Sequence, residues 1–388
     1  MKKKYTVMIT ILCTVFIISS CSQVKPVENI PQESIDTKSQ LKDEVSFTEK
    51  SQSDEKEIAD KSDVKLFQSV NFDYDTSCLT LFDQKLNKVI KKVSLEKNSF
   101  VKNIYEFDKG YLVMVAYADT PVEVKAVNDI KFVNEPEKIT AYVLRVFDSQ
   151  LNLKREIDLK GIMPKELMKR IHATAASKDG EKIIWTFLQK LYIFEVSSSK
   201  LSKVFDEENN NVNFSKVCFS KDNKYIVFTG SSTQSDEGDC AYGLFSLDNK
   251  KMILHTEKKY NSNRIYVSPK YACLCDYIDA RNQTSSGKVP ILDLTTKKAF
   301  TMQVDGTEST MAKVSEDGQY LLAVKELSDN SYRIRQYRLK TGEVIKEERI
   351  NSEGEALDLE YIDSAEYTLI CTNKNKKLSY YYFTCEDK

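Results

Sequence analysis

At 388 residues the chain is long enough for two or three domains or for one large β-rich one. Its 57 basic and 58 acidic residues nearly cancel, which removes any bulk electrostatic case for nucleic acid. Apolar residues make up 41%, enough for a real core, and with only 11 glycines the turns must rely on Asn, Asp, Ser and Lys.

The chain opens MKKKYTVMITILCTVFIISSCS. Lys2, Lys3 and Lys4 precede an apolar stretch, Val7 to Ile18, that is too short for a comfortable membrane span. It ends in Ile18-Ser19-Ser20-Cys21, a branched aliphatic residue, two small residues and a cysteine. That order resembles the lipobox of bacterial lipoproteins. The resemblance implies a signal peptide over 1–20 and a lipid on Cys21, which would hold the protein to the outer face of the cytoplasmic membrane. The alternatives are an ordinary signal peptide or an uncleaved anchor. Each of these exports the bulk of the chain.

Residues 22–63 are rich in Ser, Gln, Glu, Asp and Lys, with Phe47 as their only aromatic. Such a segment buries too little apolar surface to offset the entropy of ordering, so 21–63 is expected to be a disordered tether. Its mean reach is about 35 Å.

From Leu66 onward, short apolar or alternating runs separated by turn residues favour strands. The stretch VSEDGQYLLAV (314–324) has near-copies in ASKDGEKIIWTF (176–187) and FSKDNKYIVFT (219–229), and a shortened one in VSPKY (267–271). The motif serines Ser177, Ser220, Ser268 and Ser315 are 43, 48 and 47 residues apart. A second unit, strand, polar turn, strand, recurs between them, as in VLRVFDSQLNLKREIDL (143–159) and VPILDLTTKKAFTMQV (289–304). A period of 40–50 residues with four strands per unit is the signature of a β-propeller blade, whose sheet covers both faces only by stacking on its neighbours.

The motif resembles the Ser-Pro-Asp-Gly-Lys turn of TolB-like and WD-repeat-like propellers, between the first and second strands of a blade. The resemblance covers about 320 residues and implies an all-β propeller of four-stranded antiparallel blades over 64–388. Pro is present only once in the motif, Asn223 stands where Gly is expected, and the Trp-Asp dipeptide of true WD repeats is absent. Seven third-strand segments suggest seven blades. KLFQSVNF (65–72) either completes the last blade and closes the ring or belongs to the first, in which case six is the alternative count.

With strands labelled a to d from the axis outward, the a–b and c–d turns are short. The long connections are b–c (118–140, 230–241 and 277–288) and d–a (160–172). In an antiparallel blade these emerge on one face, opposite the Asp-Gly turns, and long loops on a rigid scaffold are where binding usually resides. The candidate binding-face residues are Asp119, Glu123, Lys125, Lys165, Lys169, Asp236, Glu237, Asp239, Asp279, Arg281 and Asn282. The alternation of Val122, Val124 and Ala126 predicts a protruding hairpin, and Pro164 followed by Lys165 to Ile171 predicts a short helix.

No catalytic motif is present: no G-x-S-x-G, no H-E-x-x-H and no phosphate-cradling glycine loop. No catalytic residue, metal site or cofactor is therefore assigned. His172 and His255 read as structural, and Asp236, Glu237 and Asp239 as solvated loop charges rather than a calcium site. The seven cysteines beyond Cys21 are odd in number and irregularly spaced, which argues for burial rather than a disulfide framework or zinc. The expected function is a binding or scaffold module for a protein, peptide or glycan. The alternatives are a glycan-cleaving or quinone-dependent propeller enzyme with its site at the central channel, or an accessory subunit of an envelope complex.

Overall fold

The Ser-x-Asp turn is the unit from which the sheets are built. In three copies the serine hydroxyl donates to the aspartate two residues on: Ser177 to Asp179 at 2.6 Å, Ser220 to Asp222 at 2.6 Å and Ser315 to Asp317 at 2.5 Å. The same hydroxyls accept the amides of Lys182, Tyr225 and Tyr320, and all three serines are buried. The residue after Asp has positive φ, 75° at Gly180, 57° at Asn223 and 78° at Gly318. Asn therefore stands in for Gly, because its short side chain tolerates the left-handed region.

The computed structural model describes residues 68–384 except 74–76, 84–87, 128–129, 135–137, 207–210, 235–238, 258–259, 262–263, 276–277, 280–286, 305–309, 328–330, 352–355, 362–365 and 373–377. All of these belong to one compact unit, Ser62–Lys388. The first sheet holds β1 (Gln68–Asp73), β2 (Cys78–Asp83) and β3 (Lys88–Ser94). The second holds β4 (Ser99–Phe107), β5 (Gly110–Ala118), β8 (Ile139–Asp148) and β9 (Leu153–Asp158). Between β5 and β8 stands the expected hairpin, β6 (Glu123–Val127) and β7 (Ile130–Asn134).

After α1 (Lys165–Lys169) comes the third sheet, β10 (Thr174–Ala176), β11 (Lys182–Phe187), β12 (Lys190–Glu195) and β13 (Lys200–Phe205). The fourth is β14 (Val212–Phe219), β15 (Tyr225–Ser232), β16 (Cys240–Ser246) and β17 (Met252–Glu257). The fifth follows a short strand β18 (Tyr260–Asn261). It contains β19 (Arg264–Val267), β20 (Tyr271–Cys275), β22 (Lys288–Asp293) and β23 (Ala299–Gln303), with β21 (Ile278–Asp279) between β20 and β22 in the chain. The sixth is β24 (Thr310–Val314), β25 (Tyr320–Glu326), β26 (Ser331–Arg338) and β27 (Val344–Asn351). The seventh is β28 (Ala356–Tyr361), β29 (Glu366–Thr372) and β30 (Leu378–Thr384).

Five sheets are thus complete four-stranded antiparallel blades, and the sheets at either end have three strands. β1 pairs with β2, so KLFQSVNF contributes its strand to the first sheet rather than to the last. That is the placement under which six was the alternative count; the described blade sheets themselves number seven, five of four strands and two of three. Inner strands follow one another around the axis, β4 against β10, β10 against β14, β14 against β19, β19 against β24 and β24 against β28.

The second strands read as nearly continuous apolar runs because both of their faces are buried. Along β11, Ile183 and Trp185 point into the core shared with the second sheet, while Ile184 points into the core shared with the fourth. On β25, Leu321 and Ala323 face the fifth sheet, and Leu322 and Val324 face the seventh. The alternation of a strand thereby feeds two interblade cores at once. Cys273 and Cys275 share one face of β20 and lie in the core toward β24. The Cys275 thiol donates to the Ala312 carbonyl at 3.0 Å, and burial pushes the Cys273 thiol up to about 12. Cys78, Cys218, Cys240, Cys273 and Cys275 are thiols outside any disulfide, and all but Cys218 are buried.

Candidate functional site

The b–c and d–a connections meet on one face, and several are stitched together there. β18 lies in a d–a connection and β21 in a b–c connection, yet they pair antiparallel, Tyr260 opposite Asp279 and Asn261 opposite Ile278. The Thr233 amide donates to the Asn211 carbonyl at 2.8 Å, and the Gln189 amide group to the Thr233 hydroxyl at 3.2 Å. α1 begins after Pro164, which sits at its N-cap with extended backbone. It is held down by buried Met163 and Leu167 in the same core as Trp185, with Val122 from the base of the hairpin packed alongside. The Tyr142 hydroxyl donates to the Met168 carbonyl, and the Tyr192 hydroxyl to Glu166 at 2.7 Å. The helix is a plug under the crossover, little more than one turn long, with Lys165 exposed on it.

Around this plug the expected residues spread widely. Asp119 pairs with Lys138 at 3.5 Å, and Glu123 with Lys125 on the exposed hairpin at 3.5 Å. Asp239 is half-buried at the start of β16, where its carbonyl accepts the Ser232 amide. Asp279 lies on β21 and Lys169 on α1, with side chains outside the described residues. Cys21, Asp236, Glu237, Arg281 and Asn282 lie outside the described residues altogether. Among the described residues no three His, Cys, Asp or Glu side chains gather as a metal site would require. His172 accepts the Leu188 amide through Nδ1 at 3.2 Å and His255 stacks on Tyr242, with burial lowering both imidazoles below the ordinary histidine range.

The opposite face is tied differently. The Asp108 amide donates to the Lys178 carbonyl at 2.8 Å, and the Asn223 side chain reaches Asp179 at 2.8 Å. Lys270 reaches the Asp317 carbonyl at 3.3 Å, and Lys221 forms an ion pair with Glu316. The a–b turns of the second to sixth sheets are therefore linked as a collar at the inner rim. Farther out on this face, between the fifth and sixth sheets, opens a cleft of about 590 Å³ beside Tyr271 and Phe300. Its residues are absent from the set expected from sequence. The one signal in the sequence lies next to them: Gly342, in the c–d turn that follows Lys340, whose counterpart in the preceding blade has Lys297.

Arg145 on β8 is likewise outside the expected set. It is buried, and its guanidinium donates to Glu156 at 2.8 Å, to the Tyr117 hydroxyl at 2.9 Å and to Glu96, fastening the link before β4 to the second sheet. Burial alone would raise the Glu96 carboxyl, but hydrogen bonds from Arg145 and Tyr117 hold it below the ordinary carboxylate range. A folded-state pKa that is depressed contributes stability above the unfolded value, and that stability is lost as pH falls through the folded value. Glu96→Gln should therefore be less stable than the wild type at pH 7, by under about 1 kcal/mol because the side chain is half exposed. The difference should vanish in acid, as read by urea unfolding across the carboxylate range. A gap that persists unchanged at low pH would refute this.

No family model matches the chain, and no curated protein matches it. Solved structures do. Hydrazine synthase of Kuenenia stuttgartiensis aligns with a TM-score of 0.50 at 10% identity, over 80% of this chain and 90% of that one. The Pan2 WD40 domain of Neurospora crassa aligns with a TM-score of 0.50 at 11% identity, over 82% of this chain and 89% of that one. The fold is a β-propeller. At these identities the likeness speaks to the propeller architecture, and function has to be argued from the propeller's own faces.

Proposed function

We propose that this chain is a binding or scaffold propeller, held by a lipid on Cys21 to the outer face of a bacterial cytoplasmic membrane. In this reading the face that carries the hairpin, α1 and the β18–β21 ribbon engages a protein, peptide or glycan. The observation that supports it most is the stitching of connections from different blades into one layer over rigid sheets. A surface built that way presents irregular backbone without the cost of ordering it on binding. Asp119, Glu123, Lys125, Lys165 and Asp239 are the candidate charged residues on this face whose side chains are described.

Crosslinking and pull-down from intact cells tests the face. A variant with the hairpin 123–134 replaced by a short Gly-Ser turn, Val122 kept, should lose the crosslinked species while unfolding with the same midpoint. Unchanged crosslinks would sink the reading. The anchor is tested separately by fractionation of Cys21→Ala, which should release processed protein from membranes. If processed Cys21→Ala stays with the membrane, the lipid has no part in the attachment.

A further inference from the structure

The c–d turns of the fifth and sixth sheets are built alike. Asp293 donates its amide to the Lys298 carbonyl at 2.9 Å, and Arg338 donates its own to the Glu343 carbonyl at 2.8 Å. The Lys297 amide reaches the Asp293 carbonyl at 2.7 Å, and the Gly342 amide reaches that of Arg338 at 2.8 Å. Lys297 and Gly342 both have positive φ, 63° and 72°. The tyrosines beneath correspond too, since the Ser220 amide donates to the carbonyl of Tyr225 and the Ser268 amide to that of Tyr271, each at 2.8 Å.

Yet the two places differ. Lys297 extends back over the Tyr225 ring of the preceding sheet, its ammonium 5.7 Å from the centroid. At the next joint Gly342 has no side chain to do this, and the cleft beside Tyr271 stands open. Arg338 replaces Asp293 and Lys340 replaces Thr295, which makes the open joint cationic as well.

We propose that this cleft is a binding site for an acidic saccharide, a pyranose carrying a carboxylate. Tyr271 and Phe300 stand edge to face, centroids 6.3 Å apart at 89°, and Phe300 is 38% exposed. Such a pair offers a ring face to the C–H side of a sugar. Gly318 lets the turn of the sixth sheet lie against Tyr271, where a Cβ would come within 2.7 Å of the ring. The polar lining is Gln319, Arg338 and Lys340, with no carboxylate. Arg338 is held only loosely, 4.0 Å from Glu343. Charged lining groups that are cationic suit an anionic ligand. The aliphatic lining is Leu339, which is itself buried, so an apolar peptide anchor has little to grip. The volume lies within the range of about 300–1,000 Å³ common to small-ligand sites.

The test is calorimetric titration of the folded protein with trigalacturonate, galactotriose and triglutamate. Trigalacturonate should bind at least about tenfold more tightly than either control. Phe300→Ala should weaken it by up to about tenfold, the scale of one aromatic contact. Gly342→Lys should abolish it, because the lysine would cover Tyr271 as Lys297 covers Tyr225. That variant should fold, since Lys297 adopts a similar φ and a Cβ at Gly342 meets nothing within 4 Å. Equal binding of triglutamate, no binding of trigalacturonate, or full binding by folded Gly342→Lys would each overturn the proposal.

Discussion

Trp185→Ala will cost about 3–5 kcal/mol and is the most damaging single truncation expected in the second and third sheets. Trp185 is the only tryptophan in the chain and is fully buried on β11, stacked on Phe194 with centroids 5.2 Å apart at 24°. Its removal leaves a cavity between two sheets that meet through packed side chains, and a β-sheet cannot slide in to fill it. A polar chain is broken as well. The Trp185 indole donates to the Tyr105 hydroxyl at 3.2 Å, which meets Thr174 at 2.7 Å, and Thr174 donates to the Ile184 carbonyl at 2.8 Å. Tyr105 is buried deeply enough that its phenol is pushed up to about 12. Trp185→Phe separates the two effects. It keeps an aromatic ring in the stack and, because Tyr105 retains Thr174, should cost only about 1–2 kcal/mol. Urea unfolding followed by circular dichroism reads both variants. Equal losses from Ala and Phe would show that the broken hydrogen bond, and not the cavity, accounts for most of the cost.

Why the architecture could be read ahead of the structure follows from the same residues. The Ser-x-Asp turn recurs from blade to blade and needs only local hydrogen bonds, so it survives as a sequence pattern wherever the turn survives. The strands after it are apolar on both faces because each serves two interblade cores, as Ile183, Ile184 and Trp185 do. The hairpin was legible because Val122, Val124 and Ala126 alternate within one segment. Legibility fails where the deciding contact is non-local. The β18–β21 ribbon joins two-residue strands from separate connections, and nothing in either dipeptide announces the other. Arg145 draws its partners from β5, β9 and the link before β4. The placement of KLFQSVNF was open for a related reason, since it carries no motif turn to fix its register.

The cleft beside Tyr271 is a subtler case. Each of its residues is ordinary for its strand or turn, and the cationic lysine and arginine look like solvated turn charges. What distinguishes the joint is the missing side chain at Gly342, visible only when the c–d turns are compared and the neighbouring blade is known. A repeat protein offers that comparison internally, because each joint serves as the control for the next.

Removing the three motif hydroxyls together, by Ser177→Ala, Ser220→Ala and Ser315→Ala, will cost about 4–9 kcal/mol, as each hydrogen bond to a charged group contributes roughly 1.5–3 kcal/mol net. Each serine is buried, donates to an aspartate and accepts a backbone amide, so alanine strands both partners. Ser268 makes a natural comparison. In the shortened VSPKY turn its hydroxyl reaches the Tyr271 carbonyl at 3.2 Å and no aspartate follows it, so Ser268→Ala should cost well under about 1 kcal/mol. The first two turns are coupled through Asn223 and Asp179, and the second and third through Lys221 and Glu316, so the three losses should fall short of additive. Acid gives an independent readout. Burial alone would raise the Asp179 carboxyl, but the Ser177 hydroxyl, the Glu181 amide, Lys182 and Asn223 together hold it below the ordinary range. Its contribution is therefore present at neutral pH and lost as pH falls through the folded value, and Ser177→Ala should flatten that acid limb. If the triple variant unfolds no more easily than Ser268→Ala, the repeat is a turn of convenience and the interblade cores alone hold the ring.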